Sequence, residues 1–471
     1  MVFSSLSFLY LFFPLCAGLY YVCKNRTYRN TVLLLCSLGF YAWGEPKNIV
    51  LLLLASLVAY LCGLLMEHWK ERPGRRKAAF ITGVVLLTGN LFVFKYLNFF
   101  GDNLNKLGVP LSLPDIALPI GISFYTFQIL SYVIDLYRGE IQLQKNYFYL
   151  TLYVSFFPQL IAGPIVRYQT IEAEILDRRE TLEDVTTGVK RFILGLAKKV
   201  IIADNVGRIA EIIYAGNPEI YGSAMYWLAA AAYALQIYFD FSGYSDMAIG
   251  MGRMFGFHFL ENFNYPYLSL SITDFWRRWH ISLSTWFRDY IYIPLGGNRV
   301  KKSRWVFNIL AVWALTGFWH GAQWNFLLWG LYYGLLLLVE KLWLGKLLER
   351  CPKAVRWLYA MFFVLIGWVI FNLTDFGQMT SALGMMFNFT PTDFTRMLAA
   401  DTAIVKALLY VPLGVVCSAP LLKKLGKRLP REGAGGTLVL LIEDGLYLAL
   451  MVLCVAFVIS ATYNYFIYFR F

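Results

Sequence analysis

The chain has 471 residues, 59% of them hydrophobic and only 15% charged, and apolar runs long enough to cross a bilayer recur from end to end, which a single soluble core would not need. The formal net charge of +13 does not point to nucleic acid, because Lys and Arg fall between apolar segments and form no separate basic domain. Seven scattered cysteines (Cys16, Cys23, Cys36, Cys62, Cys351, Cys417, Cys454) without a CxxC pair imply neither a disulfide framework nor a metal site.

At the N-terminus, SSLSFLYLFFPLCAGLYYV has no preceding basic region and no small-residue cleavage site, so it reads as a first span rather than a removed signal peptide. Lys24, Arg26 and Arg29 follow it. Residues 31–43 then lead through a short GEPK loop to a span at 48–66, which runs into the basic HWKERPGRRK. Basic loops alternating with nearly neutral ones place the N-terminus outside and the basic loops in the cytoplasm.

The middle is less regular. Segments 147–163, 192–213 and 223–257 contain or adjoin Pro158, Pro164, Lys198, Lys199, Asp240 and Asp246, which suits broken, tilted or re-entrant helices better than lipid-facing spans. Further on, Arg299, Lys301, Lys302 and Arg304 precede one span, Lys346, Arg350, Lys353 and Arg356 follow the next, and Lys423, Lys424, Lys427, Arg428 and Arg431 precede the last. Counting from these cytoplasmic anchors puts the terminal FIYFRF outside. No repeat and no soluble domain interrupts the chain. The expectation is an all-α polytopic membrane protein of roughly 11 spans plus re-entrant helices, at about 20 residues per crossing. It forms a single membrane-embedded unit over 1–471: N-terminal spans in 1–117, a motif-bearing core in 118–330 and C-terminal spans in 331–471.

Two Trp-His pairs stand out, Trp279-His280 in FWRRWHISLSTWFRDY and Trp319-His320 in LTGFWHGAQWNFLLWG, in a chain with only four histidines. An imidazole in apolar sequence is costly unless its proton chemistry or hydrogen bonding is used. If a helix starts near Arg304, sixteen residues carry His320 about 24 Å from the cytoplasmic anchor, most of the way across the hydrocarbon core. There a neutral imidazole can take a proton from an alcohol attacking a thioester, the role of a general base in O-acylation. A packing histidine hydrogen-bonded to a neighbouring helix explains His320 alone equally well. His258 and His68 read as structural or solvated.

Residues 261–304 mix aromatics with Arg277, Arg278, Arg288 and Arg299, a composition that lines a water-filled cavity open to the cytoplasm rather than facing lipid. Guanidiniums bind phosphate through bidentate hydrogen bonds, so these four are candidate contacts for a phosphorylated carrier such as coenzyme A. Ordinary positive-inside charge explains any one of them as well. Asp240, Asp246 and Arg253 are expected to pair among themselves and brace a broken helix beside the cavity. There is no GxSxG elbow, Walker A loop, GxGxxG fingerprint or HExxH helix, so hydrolase, nucleotide-driven and metal-dependent readings lose their usual support and no metal is expected.

Five ordered motifs carry a resemblance: PIGISFYTFQILSYVIDLYRG (119–139), FFPQLIAGPIVRY (156–168), QIYFDFSGYSDMAIGMGRMFGF (236–257), NFNYPYLSLSITDFWRRWHISLSTWFRDYIYIPLGGNR (262–299) and GFWHG (317–321). Together they resemble the membrane-bound O-acyltransferase (MBOAT) family, in particular its bacterial branch that O-acetylates alginate and other polysaccharides. The resemblance implies a helical bundle around a central tunnel, with His320 catalytic, His280 its second polar residue, and Trp279 and Trp319 supporting them. It implies acetyl-CoA as donor, an extracellular or cell-wall polysaccharide as acceptor, an exported hydrolase-fold acetyltransferase as partner, and a place among the lipids of the bacterial cytoplasmic membrane. It also makes Tyr468, in the terminal motif, a candidate acyl carrier or acceptor-orienting residue, although an aromatic interface belt explains a terminal run of Phe and Tyr without chemistry. The branch that passes D-alanine toward teichoic acids shares RWH and GFWHG, and YIPLGGNRVKKSRW (292–305) looks more like the acetylating branch. A lipid or protein acyltransferase of the same family, and a membrane transporter or flippase, are the remaining alternatives.

Overall fold

The computed structural model describes residues 2–218, 220–400, 402–426, 428–430, 432–460 and 466–467. Among them the chain forms helices and connecting turns, with no strand. Among the described residues five helices are long and apolar enough to cross a membrane: Ile49–His68, Pro73–Lys106, Trp324–Glu349, Lys353–Asn372 and Gly433–Ser460. In Gly433–Ser460 only 6% of the apolar window is buried within the protein, so its surface needs hydrocarbon rather than water around it. The chain is an all-α, multi-pass membrane protein.

It folds into two compact units, one of residues 1–192 with 245–260 and the other of 193–244 with 261–471. In the first, helix ends follow local chemistry. Asn25 caps Arg26–Gly44 by accepting the N–H of Tyr28, and Asn146 caps Tyr147–Ser155 by accepting that of Phe148 at 2.9 Å. A side-chain oxygen there satisfies an N–H that has no intrahelical partner. Pro158 then starts the short helix Phe157–Leu160, where a missing N–H costs nothing. The stretch 147–163 is thus broken, as Pro158 predicts.

A buried ionic cluster ties this unit together. The Glu180 carboxylate receives Arg26 Nη1 at 2.8 Å, Arg29 Nη1 at 2.5 Å and the Tyr20 hydroxyl, with Arg178 Nε 3.6 Å away. Arg178 Nε also donates to the Phe255 carbonyl at 2.8 Å, and its Nη1 to Asn30 Oδ1 at 2.8 Å. Buried charge is tolerable only when paired and hydrogen-bonded in this way.

Leu182–Ala197 and Asp204–Ala215 are separated by a π turn over Lys198–Ala203, matching the expected irregularity of 192–213. The stretch 223–257 departs from expectation: Ser223–Met254 is one uninterrupted helix. It contains no proline, and its acids are neutralised from other helices. Lys199 Nζ lies 2.7 Å from Asp240 Oδ1, and Arg191 Nη2 lies 2.7 Å from Asp246 Oδ1. Arg253 Nη1 reaches Thr187 Oγ1 at 3.3 Å. The expected pairing of Asp240, Asp246 and Arg253 with one another gives way to these partners. The reason is spacing: on a helix only side chains three or four residues apart are neighbours, and these are six or more apart.

In the second unit, Lys302–His320 and the helix beginning at Trp324 pack backbone to backbone. A Cβ on Gly317 would meet the carbonyl of Phe326, and one on Gly330 that of Trp313. Small residues at such crossings let helices touch through their main chains. Glu340, 5% exposed, reaches the start of Ile272–Arg278, accepting the N–H groups of Ile272 at 2.6 Å and Thr273 at 2.9 Å. A carboxylate at a helix N-terminus satisfies free N–H groups and complements the dipole, so the arginine-bearing segment is held by its first turn.

Candidate active site

His280 lies in the turn between Ile272–Arg278 and Ile281–Phe287, with its backbone in the left-handed region at φ 43 and ψ 56. That conformation is uncommon for a residue with a side chain and persists where surroundings enforce it. Here Asn262 does so. Its carbonyl accepts the Ile281 N–H at 2.9 Å, and its Oδ1 accepts the Ser282 hydroxyl at 2.9 Å and lies 3.1 Å from His280 Nδ1. With Oδ1 committed as an acceptor, Nδ1 carries the proton and Nε2 is the basic nitrogen. His280 is 1% exposed. Burial, and after it the neighbouring His320, lowers its pKa well below the ordinary imidazole value, so the ring is neutral.

His320 ends Lys302–His320 and is 5% exposed. The helix starts two residues before Arg304, close to the start assumed from sequence. The imidazole packs edge-on against Trp319 at 5.0 Å, Trp329 at 5.1 Å and Phe371 at 5.3 Å between centroids. Trp319 is also 6.1 Å from the His280 ring, so the two histidines flank one indole. The Phe241 ring meets His280 edge-on at 4.6 Å. Trp279 is buried against Trp368 at 4.7 Å and Phe263 at 5.1 Å. Loop charge alone gives the histidines separate depths; the fold gathers them into one aromatic enclosure.

The four arginines are not gathered in the same way. Arg277 is exposed, Arg278 Nε pairs with Asp274 Oδ1 at 2.8 Å, and Arg299 is exposed in a turn. Arg288, itself 2.6 Å from Asp289 Oδ1, lines a cavity of 810 Å³ with Tyr292, Lys302, Trp305 and Lys341 among its walls. Three cations and two aromatic rings line this cavity. Asp240 and Asp246 serve the ion pairs described above. Tyr468 lies outside the described residues; Phe466 and Ile467, just before it, are buried. Asn262 and Glu340 were not singled out in the sequence. His258 is half exposed and paired with Glu174 at 2.7 Å and Asp184 at 3.2 Å, and His68 is exposed, both in keeping with non-catalytic roles.

His280 and His320, both buried, thus flank one tryptophan in a multi-pass helical membrane protein. The family model of the membrane-bound O-acyltransferases matches residues 38–380. The chain is 43% identical to a probable alginate O-acetylase of Azotobacter vinelandii over 427 residues, 88% of this chain and 84% of that protein. It is 34% identical to a peptidoglycan O-acetyltransferase of Helicobacter pylori, covering 79% and 77%. To a teichoic acid D-alanyltransferase of Bacillus subtilis it is 31% identical, covering 51% and 62%. The chain therefore belongs to the membrane-bound O-acyltransferase family, and it is an O-acetyltransferase. An enzyme of this family replaces the transporter or flippase reading.

Proposed function

We propose that this enzyme moves an acetyl group from cytoplasmic acetyl-CoA across the bacterial cytoplasmic membrane to hydroxyls of an extracellular or cell-wall polysaccharide, directly or through an exported hydrolase-fold acetyltransferase. The observation that carries this reading is the gathering of His280, Trp319 and His320 in one buried enclosure. His320 accepts the proton of the attacking hydroxyl as the C–O bond forms and the thioester C–S bond breaks, and the proton then passes to the departing thiolate. His280, oriented by Asn262, positions the donor, or shares the charge that develops on the carbonyl oxygen once Nε2 carries a proton. The nucleotide end of the donor is read into the cavity of Arg288, Lys302 and Lys341, on the side that the positive-inside pattern gives to the cytoplasm. Both chain ends are read outside, and Tyr468 is read as a residue that orients the acceptor or carries the acyl group.

Alginate and peptidoglycan in the names of two relatives support a polysaccharide acceptor. The Bacillus subtilis relative supports D-alanine as the second choice of acyl group. The test is to release ester-linked groups from surface polymers of cells with the protein, without it, and with His320→Ala. Acetate that disappears in both of the latter is the expected result. Alanine in its place selects the second reading, and unchanged acetate with His320→Ala removes the proposed base.

A further inference from the structure

The last described residues are held by a charge buried in Ser223–Met254. Asp240 is 1% exposed. Its Oδ1 lies 2.7 Å from Lys199 Nζ, and its Oδ2 accepts the backbone N–H of Ile467 at 2.8 Å. Lys199, 3% exposed, is also 2.6 Å from Asp204 Oδ1. One carboxylate is enough to neutralise a buried ammonium. The second adds a negative charge whose desolvation needs a further donor, and a main-chain N–H from the far end of the chain is among its partners.

What this docks lies one ring away from His280. Phe466 is 1% exposed and Ile467 6%. The Phe466 ring packs on Tyr244 at 4.7 Å and stands 6.5 Å from Phe241, the ring that meets His280 edge-on. Consecutive residues of one helix thus do linked work: Asp240 holds the Ile467 main chain, and Phe241 lies between the Phe466 and His280 rings. Neither Lys199 nor Asp204 needs the C-terminal segment to be satisfied by the other. The contact from Asp240 to Ile467 is therefore more than bracing of the helices requires.

We propose that Asp240 is a positioning residue for acyl transfer: held by Lys199, it docks the C-terminal segment through the Ile467 N–H and so completes the Phe241 and Phe466 side of the surroundings of His280. The inference rests on His280 and His320 being the reacting pair.

The full-length protein tests it through the N–H itself. Ile467→Pro deletes that donor without touching Asp240 or Lys199, whereas Ile467→Ala keeps it. Displacing groups next to a reacting centre by about 1 Å can cost on the order of a hundredfold. Ile467→Pro is therefore expected to lower kcat for acetyl transfer at least about tenfold, with KM for acetyl-CoA unchanged. Ile467→Ala is expected to stay within about twofold of the parent. Combining Ile467→Pro with Asp240→Ala should cost no more than Asp240→Ala alone, because both break one contact. A normal kcat for Ile467→Pro, equal losses in the Pro and Ala variants, or additive losses in the double variant overturns the proposal. If His320→Ala is inactive while Ile467→Pro is normal, the docking role alone fails; an active His320→Ala overturns the site on which it stands.

Discussion

Around Glu180 three guanidiniums and a phenol converge on one carboxylate, whereas His280 and His320 lie against aromatic rings, with the Asn262 carboxamide and the Ser282 hydroxyl at His280. Both clusters are buried, and their polarity is handled in opposite ways. The first fixes permanent charge with permanent partners, which stabilises a structure and leaves nothing available to react. The second sets two imidazoles among aromatic rings, and burial holds the His280 pKa well below the ordinary imidazole value. The contrast separates a brace from a site more clearly than burial does.

Breaking the reactive side of that contrast has the largest expected effect. His320→Ala should lower acetyl transfer by about 10²–10⁴-fold, the usual worth of a positioned base. Adding His280→Ala should lower it little further if the rings act as a unit. Rates of purified, monodisperse protein check both points, and a double variant that multiplies the two losses separates the histidines into independent roles.

Breaking the brace should act on stability instead. Glu180→Gln leaves Arg26, Arg29 and Arg178 facing a neutral amide, and loss of one partner from a buried charge cluster costs about 3–5 kcal/mol. A lowered thermal midpoint in detergent with unchanged rate per folded molecule is the expected pattern. The cluster also predicts a pH window. Burial works against the Glu180 charge, but hydrogen bonds from Arg26 and Tyr20 outweigh it and bring the pKa down to about 2. Its contribution is full above the unfolded value of about 4.3 and is lost as pH falls toward the folded value.

A smaller effect should follow from Asn262→Ala, which frees the His280 tautomer without removing the ring. About tenfold in rate is expected, with stability nearly unchanged, and equal activity would show that the carboxamide only shapes the turn. The smallest concerns His258, half exposed between Glu174 and Asp184. Burial opposes its charge, yet the two carboxylates raise its pKa overall. Its contribution is present below the unfolded value of about 6.5 and fades as pH rises through the folded one. His258→Gln should cost less than about 1 kcal/mol, measured as a small midpoint shift at pH 5.5 that vanishes at pH 9.

Much of this was legible in the sequence, and the reasons differ by residue. Apolar runs announced the class because hydrocarbon imposes length and composition. His280 and His320 stood out because an imidazole in such sequence is expensive. Asn262 did not, since an asparagine eighteen residues before the histidine it orients leaves no local pattern. Glu340 was hidden likewise, reaching a helix start 68 residues earlier. The continuity of Ser223–Met254 was misread because Asp240 and Asp246 look like interruptions until their partners Lys199 and Arg191 are known. Pairings between distant helices are set by tertiary packing, which periodicity does not encode.

The glycine contact between Lys302–His320 and the following helix has a consequence for how the enzyme can be altered. With Gly317 and Gly330 meeting main chain to main chain, neither helix can slip along the other by a residue without driving a carbonyl into a side chain. The register of His320 against Trp329 is therefore indexed by the backbone and not by the rings that enclose it. Rings around the imidazole can be exchanged to reshape the space for an acyl group while the base keeps its place; a single methyl group added at position 317 would move the base and leave every ring intact.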